Sequence, residues 1–356
     1  MLRKVEDRNI ILLGLGFLFV YTAYQTTAAV SEVVLDSYNK NNEAHISGYV
    51  GMALNYAGTT LMALFVPGFL LFLSQKSSVI LGSVLSVMMA GSYIYPTPIS
   101  IYLFSFISGV GGAFIWVGQG AIVISNSNNT TIDRNTSVFW LLYQLSQFGG
   151  TLYVFFAWQG KEFVDTHERV VLFILLVGIG TIGILALCFI KTITVTPENC
   201  IDTSTLTASQ KLRHLFGGIK ESFRFWYSYH FGMLFLITCY IGFELAFFQT
   251  IFPTAVANTK QLGADSDRLT GLIVVFVGIG EVTGSFLSGL ASNIEKIRRG
   301  PIAAFGLIIE VFAFLIILLN IPSDAVIEPV ETIAFIEPID RVYLVICSTQ
   351  ISYKNP

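Results

Sequence analysis

Charge is what this sequence is short of. Asp, Glu, Lys and Arg together make up 12% of its 356 residues, about half the share usual in a soluble domain. Apolar residues reach 54% and the mean hydropathy is +0.70. Polar side chains are then too few to coat a water-soluble core, and the fitting solvent is lipid. A net charge of −3 excludes the strongly basic surface that nucleic acid calls for. Cysteine is sparse too. Cys188, Cys200, Cys239 and Cys347 stand apart with no CxxC and no Cys/His cluster, which argues against a disulfide framework or zinc site and for small apolar fillers. With no nucleophile–base pair in view, the sequence predicts no catalytic residue, no metal and no cofactor.

What is present is one apolar run after another. Crossing a bilayer core takes roughly 20 helical residues. Nine segments meet that length: 9–30, 46–72, 78–95, 99–124, 136–158, 170–190, 229–253, 269–290 and 302–321. Arg3 and Lys4 precede the first run as in a secretory signal, but that run is too long and Glu6 and Asp7 intervene, so it is expected to stay as a helix. Lys and Arg in the loops set the orientation. With the N-terminus in the cytoplasm, thirteen fall inside (Arg3, Lys4, Arg8, Lys76, Arg134, Lys191, Lys211, Arg213, Lys220, Arg224, Lys296, Arg298, Arg299) and five outside (Lys40, Lys161, Arg169, Lys260, Arg268). The N-terminus is therefore expected in the cytoplasm, and the sequons at Asn128, Asn129 and Asn135 are expected to carry no glycan.

The expected organisation is a six-helix bundle over 1–190, a cytoplasmic loop over 191–228, three helices over 229–321 and a polar tail over 322–356, in which Val342 to Cys347 reads as the start of a tenth span. The second half of the loop has Leu212, Leu215, Phe216, Ile219, Phe223 and Trp226 at helical spacing, with Lys211, Arg213, Lys220 and Arg224 between them. That pattern suits a basic amphipathic helix on the inner membrane surface. Three echoes recur at a nearly constant offset: Tyr24-Gln25-Thr26 with Phe248-Gln249-Thr250, Asn55 to Gly58 with Glu281 to Gly284, and Gly82 and Val87 with Gly306 and Val311. A six-helix unit that begins again after a cytoplasmic loop is the plan of major facilitator proteins, built from parallel repeats. The expected fold is an all-α polytopic membrane helix bundle of that type, with six N-terminal spans plus three of the C-terminal half. Pro322, Pro329 and Pro338 make the tail a loop, so an incomplete bundle is expected, from a shortened isoform or a truncated gene model.

GVGGAFIWVGQG, 109–120, puts five glycines into an apolar run. Ser105, Gly109, Ala113 and Ala121 form one stripe, and Ser108, Gly112 and Gly120 a second one interrupted by Trp116. Small residues four apart let helix backbones approach closely in lipid, so Gly109, Gly112, Ala113 and Gly120 are read as a packing surface and Gln119 as turned toward protein, away from lipid. GIGTIG, 178–183, has the letters of a dinucleotide fingerprint but lies inside an apolar span with no preceding strand, which makes it a decoy. Glu244, Glu281 and Glu310 lie at membrane depth with the amides Gln25, Asn55, Gln119, Gln144, Gln147 and Gln249, and no Lys or Arg lies in any span. At least one glutamate is then expected to hold a proton or to meet an aqueous cavity. Gln25, Asn55, Gln119, Glu244, Gln249 and Glu281 are the candidates for a central cavity or coupling site. Glu310, among bulky neighbours, is read as a structural acid.

FVYTAYQT (19–26), ISGVGGAFIWVGQG (107–120), DRNTSVFW (133–140), LYVFFAWQGK (152–161), GFELAFF (242–248) and GIGEVTG (278–284) resemble the Unc-93-like branch of the major facilitator superfamily. The resemblance runs across all nine spans. It implies a twelve-helix protein without a settled substrate, whose better-known relatives are accessory subunits of potassium channels or trafficking chaperones of receptors. The loop LSQKSS between spans 2 and 3 departs from the Gly-Asp-Gly-Arg gate motif of ordinary major facilitator transporters. Two functions are therefore expected, in this order: a non-enzymatic regulatory or trafficking partner of a channel or receptor, and a proton- or cation-coupled solute carrier. The bilayer is the first partner of either.

Overall fold

The computed structural model describes residues 5–42, 44–70, 72–149, 165–191, 207, 209–210, 213, 216–217, 224, 226–260, 277–284, 286–287, 299–326 and 330–336. Every element named among them is helical. The chain divides into two compact units, Met1–Ser146 with Gly160–Phe231 and Gln147–Gln159 with Gly232–Pro356.

The first unit is built on α1, Glu6–Asn42, whose 37 residues extend about 55 Å at ~1.5 Å per residue. This helix outlasts the apolar run ending near residue 30. Glu6 and Asp7 lie in its first turn and Lys40 in its last, each favourably placed against the helix dipole. Its C-terminal third also holds the next segment. The Glu32 carboxylate accepts from the Tyr49 backbone N–H at 3.0 Å, which satisfies the start of α2 (Gly48–Ala63) where Ser47 offers no side-chain cap. The Asn39 amide donates to the Ile46 carbonyl and accepts from its N–H, at 2.8 and 3.1 Å.

The second expected span is not one helix. Pro67 has no N–H to give, and α2 stops at Ala63 with a separate turn, α3, at Val66–Phe69. Next come α4 (Gln75–Ser92, capped by Ser74) and α5 (Pro98–Ser125), which opens on a Thr97/Ser100 capping box with Pro98 in the first turn. They are followed by α6 (Ile132–Gln144) and α7 (Thr166–Cys188), capped by Asp165. By length and apolarity α1, α5 and α7 are each sufficient to cross a membrane. GIGTIG lies inside α7.

Glycine decides how these helices meet. α5 packs between α2 and α4, and α1 packs on α7 and α6. A Cβ on Gly111 would stand 2.7 Å from the Gly82 carbonyl oxygen, and one on Gly183 would stand 2.7 Å from that of Gly16. Both pairs therefore mark backbone-to-backbone crossings of α4 with α5 and α1 with α7 that any larger residue would open. Between α1, α5 and α6 the filling is aromatic. Phe17, Tyr21, Trp116, Phe139, Trp140 and Tyr143 form a connected cluster of edge-on and stacked rings with centroids 4.9–6.3 Å apart.

In the second unit, the expected seventh span is α8 (Tyr229–Ala246), a π-helical turn at Phe247–Ile251 and α9 (Phe252–Asn258). Pro253, in the first turn of α9, removes an N–H from the ladder, which accounts for the break in regular winding. The residues 277–284 are helical, and α10 covers Arg299–Asn320. Phe248, Phe252, Val256, Val277, Ile317 and Ile321 form the core here. Part of the expected polar tail folds back: a 3₁₀ turn at Ser323–Val326 leads to Val330, which bonds backbone-to-backbone with Asn258 and Lys260. Val342 to Cys347, read as a tenth span, lies outside the described residues.

Candidate functional site

In the first unit Asn55 and Gln25 bond to hydroxyls and a backbone carbonyl. Asn55, 2% exposed, accepts from the Tyr24 hydroxyl at 2.8 Å and donates to the Ser105 carbonyl at 3.1 Å. One turn on, the Thr59 hydroxyl donates to the Gly109 carbonyl at 2.9 Å. Gln25 donates to the Tyr143 hydroxyl at 3.2 Å and accepts from the Ser146 hydroxyl at 2.8 Å. Tyr24, Gln25, Trp116, Gln119, Trp140 and Tyr143 are half-buried, and none of these six side chains carries a formal charge. Gln119 makes no hydrogen bond among the described residues.

The four packing candidates separate. A Cβ on Gly109 would lie 2.8 Å from the Asn55 carbonyl carbon and nearer still to its oxygen, whereas one on Gly112 would meet only the Thr59 hydroxyl at 3.4 Å, and one on Gly120 nothing within 4 Å. Ala113 is buried, with Val66 and Phe114. The glycines therefore fall on different faces of α5: Gly109 lies in the seam with α2, and Gly120 is left uncovered by its own unit.

In the second unit Glu244, Glu281 and Glu310 are each 5% exposed or less. The Glu281 carboxylate accepts a close hydrogen bond from the Gln147 amide, and one turn before it Gly278 lies against the Phe148 ring. Gln147 and Phe148 thus engage the 277–284 helix as a pair. Gln249 lies in the π-helical turn; its side chain is outside the described residues. Among the described residues no three His, Cys, Asp or Glu side chains gather as a metal would require.

Sequence reasoning passed over a third polar centre, at the N-terminal end of α1. Asn9, fully buried, donates to Asn126 Oδ1 at 2.8 Å, donates to the Lys191 carbonyl at 2.8 Å and accepts from the Lys191 N–H at 3.0 Å. Asn135 donates to the Asn126 carbonyl and the Ser127 hydroxyl and accepts from Arg134. Arg134 in turn pairs closely with Asp7. The ends of α1, α5, α6 and α7 are thereby tied together. Asn9 opening an apolar run was the available signal. Asn135, read as a sequon, has its amide occupied and is 3% exposed, which leaves no room for a glycan.

Comparison with known proteins places the chain. A family model described as "Ion channel regulatory protein UNC-93" matches residues 40–351. The UNC93-like protein MFSD11 of Xenopus tropicalis is 31% identical over 347 residues, covering 94% of this chain and 78% of its own length. Its Xenopus laevis counterpart is 30% identical over 341 residues, covering 93% and 76%. Among solved structures, the fucose:proton symporter FucP of E. coli superposes with a TM-score of 0.62 at 15% identity, over 96% of this chain and 81% of that one. The nucleoside transporter NupG gives 0.57 at 13%, over 96% and 79%. At such low identity the two structures speak for the fold: a helical membrane bundle of the major facilitator type.

Proposed function

This chain belongs to the UNC-93 family and is an integral multi-pass membrane protein; from that premise we propose that it is a non-enzymatic regulatory or trafficking partner of another membrane protein, an ion channel or a receptor. The observation that carries this reading is the family match over 40–351. The geometry supports it in one respect: α5 leaves Gly120 uncovered beside its tightly seamed face, a small-residue surface against which a foreign helix packs closely. The proposed orientation places the N-terminus in the cytoplasm, on the loop charges given above. The proposed organisation keeps 1–190, 191–228, 229–321 and 322–356 as its parts.

The test is co-expression with a panel of ion channels, reading current density and channel abundance at the cell surface. The expected result is a change in at least one channel, lost on Gly112→Leu or Gly120→Leu while the chain's own abundance holds. No change in any channel or receptor tested would overturn the reading.

A second reading is favoured by a specific observation. Glu281 is buried and hydrogen-bonded to Gln147, and a carboxylate at membrane depth is a means of taking up a proton or cation with a solute. Gln25, Asn55, Gln119, Glu244 and Gln249 would then line or couple the path. Solute flux into proteoliposomes that Glu281→Gln abolishes would establish the carrier instead.

A further inference from the structure

The geometry points to an anionic-lipid docking surface on the stretch that leads into α8, formed by Arg213, Phe216, Arg224 and Trp226. This inference stands apart from the choice between regulator and carrier.

Two independent features carry it. The first is charge and shape. Residues 211–226, KLRHLFGGIKESFRFW, contain four Lys or Arg against Glu221 alone, in a chain whose overall charge is −3. The described positions here, 213, 216, 217, 224 and 226, are helical and exposed. Phe216 and Trp226 are 63% and 46% exposed, and an isolated basic helix in water has no reason to present large apolar rings beside its cations. A helix with cations flanking an apolar face satisfies both at a lipid headgroup layer.

The second feature is depth. α8 begins at Tyr229, and Met233, Leu234, Phe235, Leu236 and Ile237 are all exposed. An apolar surface on every side of a helix fits hydrocarbon. The membrane boundary therefore falls near the start of α8, where Tyr227 and Tyr229 are exposed and the Trp226 ring stacks on Phe231 at 5.9 Å. Aromatic rings of this kind mark the headgroup level. Arg224 lies two residues before Trp226, well within the roughly 8–10 Å over which an anionic surface acts at physiological salt. Each basic residue close to such a surface multiplies partitioning by about fivefold, so a net charge of three gives on the order of a hundredfold.

The experiment places an environment-sensitive fluorophore on Phe216→Cys in the full chain, with Cys188, Cys200, Cys239 and Cys347 replaced by Ala. Nanodiscs of phosphatidylcholine alone are compared with nanodiscs containing about a third phosphatidylserine. A blue-shifted emission in the anionic discs, reversed by molar salt and absent when Lys211, Arg213, Lys220 and Arg224 are changed to Glu, is the expected result. Salt reversal needs no charge change, so it reads the surface even if the fourfold variant folds poorly. Emission equally blue-shifted in both discs would mean docking without lipid selectivity and would overturn the proposal. Emission typical of water in both would overturn it too and point to a protein occupant.

Discussion

Replacing Gly109 with Ala tests the seam between α2 and α5. The new methyl would stand 2.8 Å from the Asn55 carbonyl carbon and 3.0 Å from its Cα, against about 3.5 Å for an ordinary carbon–carbon contact. Its obstacle is helix backbone, which has no rotamer to yield, so the two helices must separate. Separation also stretches the bonds that cross the seam, Thr59 to the Gly109 carbonyl at 2.9 Å and Asn55 to the Ser105 carbonyl at 3.1 Å. Overpacking a tight core costs about 1–3 kcal/mol, and interhelical hydrogen bonds in membranes average about 0.6 kcal/mol each. The expected loss is therefore about 2–4 kcal/mol, roughly thirtyfold or more in the folding equilibrium. Unfolding in lipid nanodiscs, followed by a thiol-reactive dye, reads the change as a lowered midpoint. Gly120→Ala, where a methyl meets nothing within 4 Å, is the internal control and should be stable to within ~0.5 kcal/mol. If the two variants unfolded together, the argument that close backbone approach holds this bundle would be wrong.

Two further outcomes are expected. Asn135→Ala leaves the buried Asn126 carbonyl without its side-chain donor and should cost about 1–3 kcal/mol, while glycosidase treatment of the wild-type chain should produce no mobility shift attributable to Asn135. A double-mutant cycle of Tyr24→Phe and Asn55→Ala should return a coupling of about 0.6 kcal/mol, whereas no coupling in the same unfolding assay would mean that the 2.8 Å bond contributes nothing.

Much of the helical plan was legible because lipid makes composition and run length decisive. Segment 170–190 falls almost wholly within α7. The boundaries were less so. α1 continues to Asn42 because Glu32 and Asn39 are held by the next segment, a tertiary contact that hydropathy does not register. Pro67 and Pro253 each interrupt a run that counting treats as continuous. Within 109–120 the pattern of small residues was plain, but which neighbour each one faces depends on helix rotation, and this separates Gly109 from Gly120. Asn9 lies 117 residues before Asn126, and Asn9, Asn126 and Asn135 read as a span edge and two loop residues. Their meeting depends on the ends of four helices arriving together, and no local pattern encodes that.

The Asn9 contact with Lys191 spans 182 residues. An amide near the start of α1 is thus bonded in part by backbone that the ribosome makes only after α7. At the ordinary ~5–20 residues per second of synthesis, Asn9 waits on the order of ten to forty seconds before its last partner exists. Until then this end of α1 lacks part of its native hydrogen bonding, a natural handle for the chaperones and ligases that police membrane insertion.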